Sequence, residues 1–427
     1  MVKIASLQAR EILDSRGFPT VEVDCRLADG SFGRASVPSG KSTGSQEAQE
    51  MRDHDTTRFG GQGVLTAVHN IQNEVFPAVR DMEVADQETF DRILIDLDGT
   101  AQKQRLGANV ILGCSLAFAR AQGAASHQSL ARYLAGLYGH QEWVFPVPMM
   151  NVINGGKHAD SGISTQEFML VPHGADDIAG AIRMGAEIYH VLQDLLKAKG
   201  YRVSVGDEGG FAPQLRSSAE ALELLTAAME KAGYAPGEDV SIALDFAAND
   251  FYRDGVYRFE GHAWTAEEMT DYCLEISRRF PIVSIEDGLA EGDWEGWVGH
   301  SQRLSAAGLQ CVGDDIFVTN PGIFQKGIDQ GIANAILIKL NQIGTLSETL
   351  ATMRLAAQSH YRTVVSHRSG ETDDPFIADF ALATSARQMK SGAPARGERV
   401  AKYNQLLRLT EDFPTAPLAK GLYGPFP

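Results

Sequence analysis

Between positions 20 and 27, apolar Val21, Val23, Cys25 and Leu27 alternate with polar residues, and Asp29-Gly30 follows as turn chemistry. Residues 31–37 then return as a second run, so the pattern predicts a β-hairpin. The loop Pro38-Ser39-Gly40-Lys41-Ser42-Thr43-Gly44 comes next, and mostly helical patterns continue to about Tyr138. A Pro-bearing connector over 139–148 marks a change of pattern. Beyond it, short apolar runs alternate with amphipathic stretches such as Ile178, Ile182, Ile188, Leu192 and Leu195, and capping boxes are expected at Ser217…Glu220 and Thr265…Glu268. Such alternation predicts a parallel sheet or barrel. The reading is an α/β protein: a (β/α)8-type barrel over residues 139–427, preceded by a smaller α+β domain over 1–138.

The ends of the apolar runs carry more than fold information. Ile242-Ala243-Leu244 closes on Asp245, Val283-Ser284-Ile285 on Glu286, Cys311-Val312-Gly313 on Asp314, 335–338 on Lys339, and Val364-Val365-Ser366 on His367. The intervals between these five residues are 41, 28, 25 and 28. Each interval accommodates a strand, a helix and two turns, so polar groups recur at the carboxyl ends of successive strands, where barrel enzymes build active sites. Asp245, Glu286 and Asp314 would converge there, and three carboxylates repel one another unless a hard cation such as Mg²⁺ sits among them. Lys339 is either a base whose pKa nearby positive charge lowers, or an ion-pair partner of those acids. The segment Gly206-Asp207-Glu208-Gly209-Gly210-Phe211-Ala212-Pro213 is either a surface turn or a loop carrying Glu208 to the barrel mouth. The stretch from Asn154 through His158 to Asp160 adds a glycine-rich loop with a histidine, and Gln166-Glu167 adds a further strand-end acid.

Charge and composition exclude other classes. The 38 basic and 55 acidic residues leave a net charge of −17, a field that repels nucleic acid and anionic membrane surfaces. An anionic substrate therefore needs local cations or metals. Cys25, Cys114, Cys273 and Cys311 have neither disulfide-framework nor zinc-ribbon spacing and are expected to be reduced. With no apolar leader and no run of 18 apolar residues, the expectation is a cytoplasmic protein. Gly40-Lys41-Ser42 superficially matches the end of a P-loop, but Ala35 stands where a glycine is required and Pro38 interrupts the loop.

Over nearly its whole length the chain resembles the enolases, through Asp14-Ser15-Arg16-Gly17, Leu106-Gly107-Ala108-Asn109, the 206–213 segment, Ser284-Ile285-Glu286-Asp287, Asn341-Gln342-Ile343-Gly344, the run from Ser366 to Thr372, and Ala401-Lys402-Tyr403-Asn404-Gln405. The resemblance implies two Mg²⁺ per site, one on Asp245, Glu286 and Asp314 and a second assisted by Ser42. It also implies that Lys339 takes the C2 proton of 2-phosphoglycerate, a small phosphorylated three-carbon acid, while Lys390 offsets the charge that develops. Glu208, supported by Glu167, would protonate the departing hydroxyl. His158, Gln166, His367, Arg368 and Ser369 would position carboxylate and phosphoryl groups, residues 39–44 would form a mobile lid, and a homodimer or dimer-based oligomer is implied.

Two positions depart from the family pattern. Lys41 and His54 stand where enolases typically carry alanine and glycine. Lys41 would bring an extra cation towards the substrate. One reading is an ordinary enolase with Lys41 turned to solvent. The other is a paralogue resembling the carboxyphosphonoenolpyruvate synthases of phosphonate pathways, acting on a more anionic substrate. A scaffold protein that merely retains the fold fits poorly with an intact set of acids and lysines.

Overall fold

The computed structural model describes residues 2–80, 82–139, 142–159 and 161–423. His140 and Gln141, inside the expected connector, and Asp160, at the end of the glycine-rich loop, lie outside the described residues. The chain opens with an antiparallel sheet of β1 (Val2–Leu13), β2 (Pro19–Leu27), β3 (Phe32–Ser36) and β4 (Glu83–Val84), in the order β3-β2-β1-β4. The β2–β3 hairpin is the one the alternation predicts. Val21, Val23 and Cys25 are fully buried against the helix Ala108–Ala125. That helix comes so close to β3 that a Cβ on Gly33 would stand 2.1 Å from the Ala117 carbonyl oxygen, so only glycine fits there. On the polar face Arg10 pairs with Glu22 and Asp24, both at 2.6 Å, and Arg34 pairs with Asp24 at 2.7 Å.

The second unit is a closed barrel in the order β11-β12-β13-β14-β15-β5-β6-β7. Its strands are β5 (Val147–Asn154), β6 (Glu167–Val171), β7 (Ser241–Asp245), β11 (Ile282–Glu286), β12 (Gln310–Gly313), β13 (Ala335–Ile338), β14 (Arg362–Ser366) and β15 (Gln388–Lys390). A small antiparallel sheet of β8 (Tyr252–Arg253), β9 (Val256–Phe259) and β10 (His262–Trp264) interrupts the alternation after β7. The barrel is not uniformly parallel, as the sequence pattern predicts, because β6 runs antiparallel to both β5 and β7. The reason is local. β5 and β6 are joined by the glycine-bearing loop 155–166 rather than by a crossover helix, and a direct connection of that kind reverses the chain.

Two capping expectations part company. Thr265 and Glu268 form a full capping box. Ser217 accepts from Glu220 N, but the Glu220 carboxylate turns to Arg216 N at 2.9 Å and Tyr201 Oη at 2.6 Å, so the box is half made. All four cysteines are buried thiols. The two units are pinned by Arg120, which grips Asp374 at 2.6 and 2.7 Å, and Asp374 also accepts from Ser36 N. No helix among the described residues is long and apolar enough to cross a membrane.

Candidate active site

The strand ends singled out by the sequence meet at one rim. Asp245 and Glu286 are the last residues of β7 and β11, Lys390 the last of β15, and Asp314, Lys339 and His367 immediately follow β12, β13 and β14. Glu167 is the first residue of β6, yet it lies at the same rim because β6 is reversed, which sets it opposite Asp245 in register. Apart from Glu286 and Lys41, every candidate residue lines a single cavity of about 30 Å³. Glu286 lies just beneath it, bound to Lys390.

Two lysines sit among the acids. The Lys390 ammonium lies 2.9 Å from Glu286, 3.0 Å from Glu167 and 3.2 Å from Asp245, and Lys339 pairs with Asp314. Of the two readings of Lys339, its pairing with an acid is found in the structure, and the lowered pKa of the other is not. Burial and the charges of Arg368 and Lys390 push it down, but Asp314 together with the other acids around it, Glu286 among them, outweighs them and the pKa is raised. Lys390 is held well above its ordinary value against burial by Glu167, Glu286 and Asp245.

Even with both lysines in place, negative charge is in excess. Burial and neighbouring acids push Glu286, Asp287 and Glu167 well above the usual carboxylate range, and Asp315 up to about 8. The buried Gln166 side-chain oxygen Oε1 has no hydrogen-bond partner, while the side-chain Nε2 donates to Asp245 at 3.2 Å. A buried all-oxygen donor set with surplus charge fits a hard divalent cation. The tightest carboxylate group, however, is Asp287, Asp314 and Asp315 rather than the expected Asp245, Glu286 and Asp314. Asp287 reaches into it by accepting from the backbone N–H of Asp314 at 2.9 Å and of Asp315 at 3.0 Å. Its place directly after the Glu286 strand end, and the doubled acid 314–315, were the available sequence signals.

Across the cavity His158 Nδ1 lies 3.5 Å from Glu167 and 3.7 Å from Glu208, and Asn151 donates to Glu208 at 3.0 Å. In this pair Glu167 is the carboxyl pushed up, by burial and by Glu208. Glu208 is held low, because His367, His158 and Arg399 together outweigh burial. The two shifts run in opposite directions, so of the two carboxyls Glu167 is the one that holds a proton more readily. His367 Nδ1 faces Arg399 Nη1 at 2.6 Å, and a guanidinium can only donate, so Nδ1 accepts and the ring proton is on Nε2, 3.3 Å from Glu208.

Arg399 is the residue that sequence reasoning missed. It is fully buried and also donates to the carbonyls of Arg368 and Ser369 at 2.6 Å and of Asp207 at 2.9 Å. Arg368, expected to position a phosphoryl group, here spends its donors on Glu47 at 2.9 and 3.2 Å, Asn341 at 2.9 Å and the Ser42 carbonyl at 3.1 Å. Gly40 passes so near that a Cβ there would be 2.0 Å from Arg368 Nη2.

The enolase N-terminal domain matches residues 4–134, and the enolase C-terminal TIM barrel domain matches residues 142–422. The chain belongs to the enolase family. Lys41 and His54 are the two atypical positions of this enolase-family chain. His54 has φ +57°, the left-handed region where glycine is at ease, which leaves this histidine mildly strained. Lys41 turns neither into the cavity nor freely into solvent. Its Nζ lies 2.9 Å from Asp207 Oδ2, with the side chain 43% exposed.

Proposed function

We propose that this enolase-family protein interconverts 2-phosphoglycerate and phosphoenolpyruvate. The observation that carries the reading is an amine facing a carboxylic acid pair across one buried cavity. In the ring of eight strands β13 and β6 are four apart, so Lys339 and Glu167 come from opposite walls, and Glu208 joins Glu167. Base and acid thus approach a substrate from opposite sides, as removal of a C2 proton and loss of the 3-hydroxyl require.

In the dehydration direction Lys339, once Asp314 is drawn off its ammonium and it has lost a proton, takes the C2 proton. The C–H electron pair moves onto the carboxylate to give an ene-diolate dianion. That pair then forms the C2–C3 double bond as the C3–O bond breaks, and Glu208, resupplied by Glu167, delivers the proton that makes the leaving hydroxide water. Lys390 stays cationic beside the reacting carboxylate. Asp245, Glu286 and Asp314 would hold one Mg²⁺ and Ser42 would assist a second. The bound metal supplies positive charge where the dianion develops. Arg368 and Ser369 are placed to orient the phosphoryl group once Arg368 exchanges Glu47 for it.

Lys41 bears on the choice of substrate. It lies outside the cavity lining and its charge is already met by Asp207, which weighs against its serving as an added cation for a more anionic, phosphonate-type substrate. The test is turnover of 2-phosphoglycerate with Mg²⁺, followed by the ultraviolet absorbance of phosphoenolpyruvate, expected at about 1–10³ s⁻¹. Lys339→Ala should also lose exchange of the C2 hydrogen with D₂O, whereas Glu208→Gln should retain exchange and lose dehydration by about 10²–10⁴-fold. A native rate several orders of magnitude lower, restored by Lys41→Ala, would overturn the reading in favour of the phosphonate-type substrate.

A further inference from the structure

The lid is anchored at its base by backbone. Ser39 and Gly370 exchange hydrogen bonds at 2.7 and 2.9 Å, and Lys41 N donates to Ser369 Oγ at 2.9 Å. From there the Lys41 side chain crosses to a different rim loop and meets Asp207. Asp207 is not a loosely held surface acid. Its N–H donates to the His158 carbonyl at 3.2 Å and its own carbonyl accepts from Arg399 at 2.9 Å, so its carboxylate is presented from a fixed backbone. The next residue is Glu208. A single ion pair therefore joins the lid to the backbone that carries Glu208 and touches the His158 loop.

The cavity beneath explains why such a contact matters. At about 30 Å³ it has room for no more than a few water molecules, too little for a three-carbon phosphate, which therefore enters only when the lid lifts. Outside the lid, a space of about 470 Å³ lined by Gly40, Thr43, Gly44, Arg52 and His54 leaves room for that movement.

We propose that Lys41 and Asp207 form a latch that biases the lid towards its closed position, with Asp207 a positioning residue that ties closure to the loop bearing Glu208. The latch rests on the proposed function only for the identity of what enters. The pair is partly exposed, at 43% and 27% of the two side chains, and an ion pair of that kind shifts an equilibrium by up to about fivefold. It is also screened by salt.

The test is amide hydrogen exchange over residues 39–45 in the substrate-free protein. Lys41→Met and Asp207→Asn should each speed exchange in this segment by about two- to fivefold at low salt, and the double variant should be no faster than either. The exchanged pair Lys41→Asp with Asp207→Lys should recover slow exchange. Raising salt from about 0.05 to about 0.5 M should erase most of the difference. With 2-phosphoglycerate and Mg²⁺, the loss in the single variants should fall on KM more than on kcat. Unchanged exchange in the single variants, or effects that simply add in the double, would overturn the latch. Coupled exchange without any formation of phosphoenolpyruvate would support the latch and sink the reaction reading alone.

Discussion

Arg399 concentrates more of the site's order in one side chain than any acid at the rim does. Its guanidinium fixes the His367 tautomer and holds the carbonyls of residues 207, 368 and 369, so two loops share one buried cation. Arg399→Met should leave these acceptors unpaired and cost about 3–5 kcal/mol in urea unfolding. Arg399→Lys keeps the charge but cannot reach all the acceptors, and should lower kcat/KM by about 10²-fold with a smaller loss of stability, because a shift of the His367 and Glu208 loops misplaces reacting groups. Equal fractional effects of the two variants on stability and activity would show that Arg399 only holds the fold. The signal for this residue was present in the sequence. Residues 399, 402, 403, 406 and 409 all fall on the buried face of the helix Gly397–Asp412, so two charges, Arg399 and Lys402, stood in core register. Strand-end acids were legible for the same kind of reason, since their chemistry conflicts with their place in an apolar pattern. The direction of the Lys339 pKa was not, because it turns on whether Asp314 or Arg368 lies nearer in space.

At the scale of elements, what the sequence concealed was phase and direction. β1 is a twelve-residue strand, but its pairing with β2 shifts between Ile4 and Ser6, so buried Ile4 and Leu7 fall out of the period-two alternation that reveals β2. The reversal of β6 was equally hidden, since an apolar run reads alike in either direction. Helix contacts bring a further consequence. On the helix Ala266–Arg279, Thr270 gives its only proton to the Ala266 carbonyl at 2.7 Å, so at 2.9 Å its oxygen accepts from His300 Nδ1 on the helix Trp294–Ala306. His300 Nε2 is then buried without a partner, and burial pushes the imidazole pKa down to about 3. The unfolded chain protonates this histidine near pH 6.5 while the folded protein does not, so acid favours unfolding between about 6.5 and 3. By about pH 4.5 the loss from this residue is at most ~2.7 kcal/mol. His300→Gln keeps a donor for Thr270 and cannot titrate, so its unfolding free energy should fall less steeply between about pH 6.5 and 4.5 than that of the native protein. Parallel slopes would locate the acid sensitivity elsewhere.

For the whole molecule, the net charge of −17 is not spread evenly. Glu167, Glu208, Asp245, Glu286, Asp287, Asp314 and Asp315 are buried at one rim, and burial there raises the cost of every unpaired charge. Lys339, Lys390 and Arg368 answer only part of it, which is why several of these carboxyls are pushed upward. Folding thus gathers like charges that the unfolded chain keeps apart and hydrated, and the native state is stressed there until a cation enters. Mg²⁺ binding should therefore stabilise the folded protein specifically. At a hundredfold excess over Kd the gain is about 2.7 kcal/mol per site, seen as a melting temperature higher by a few degrees and reversed by chelation. NaCl at matched ionic strength screens the general repulsion of an acidic protein but cannot sit among these oxygens, so its effect should be smaller. Asp245→Asn together with Glu286→Gln separates the two contributions, because it removes two candidate ligands and relieves repulsion at once. That variant should melt at or above the native temperature without metal and gain little from Mg²⁺. A rise with Mg²⁺ that NaCl reproduces, or that survives in the double variant, would mean that the acidic rim is balanced by its lysines alone.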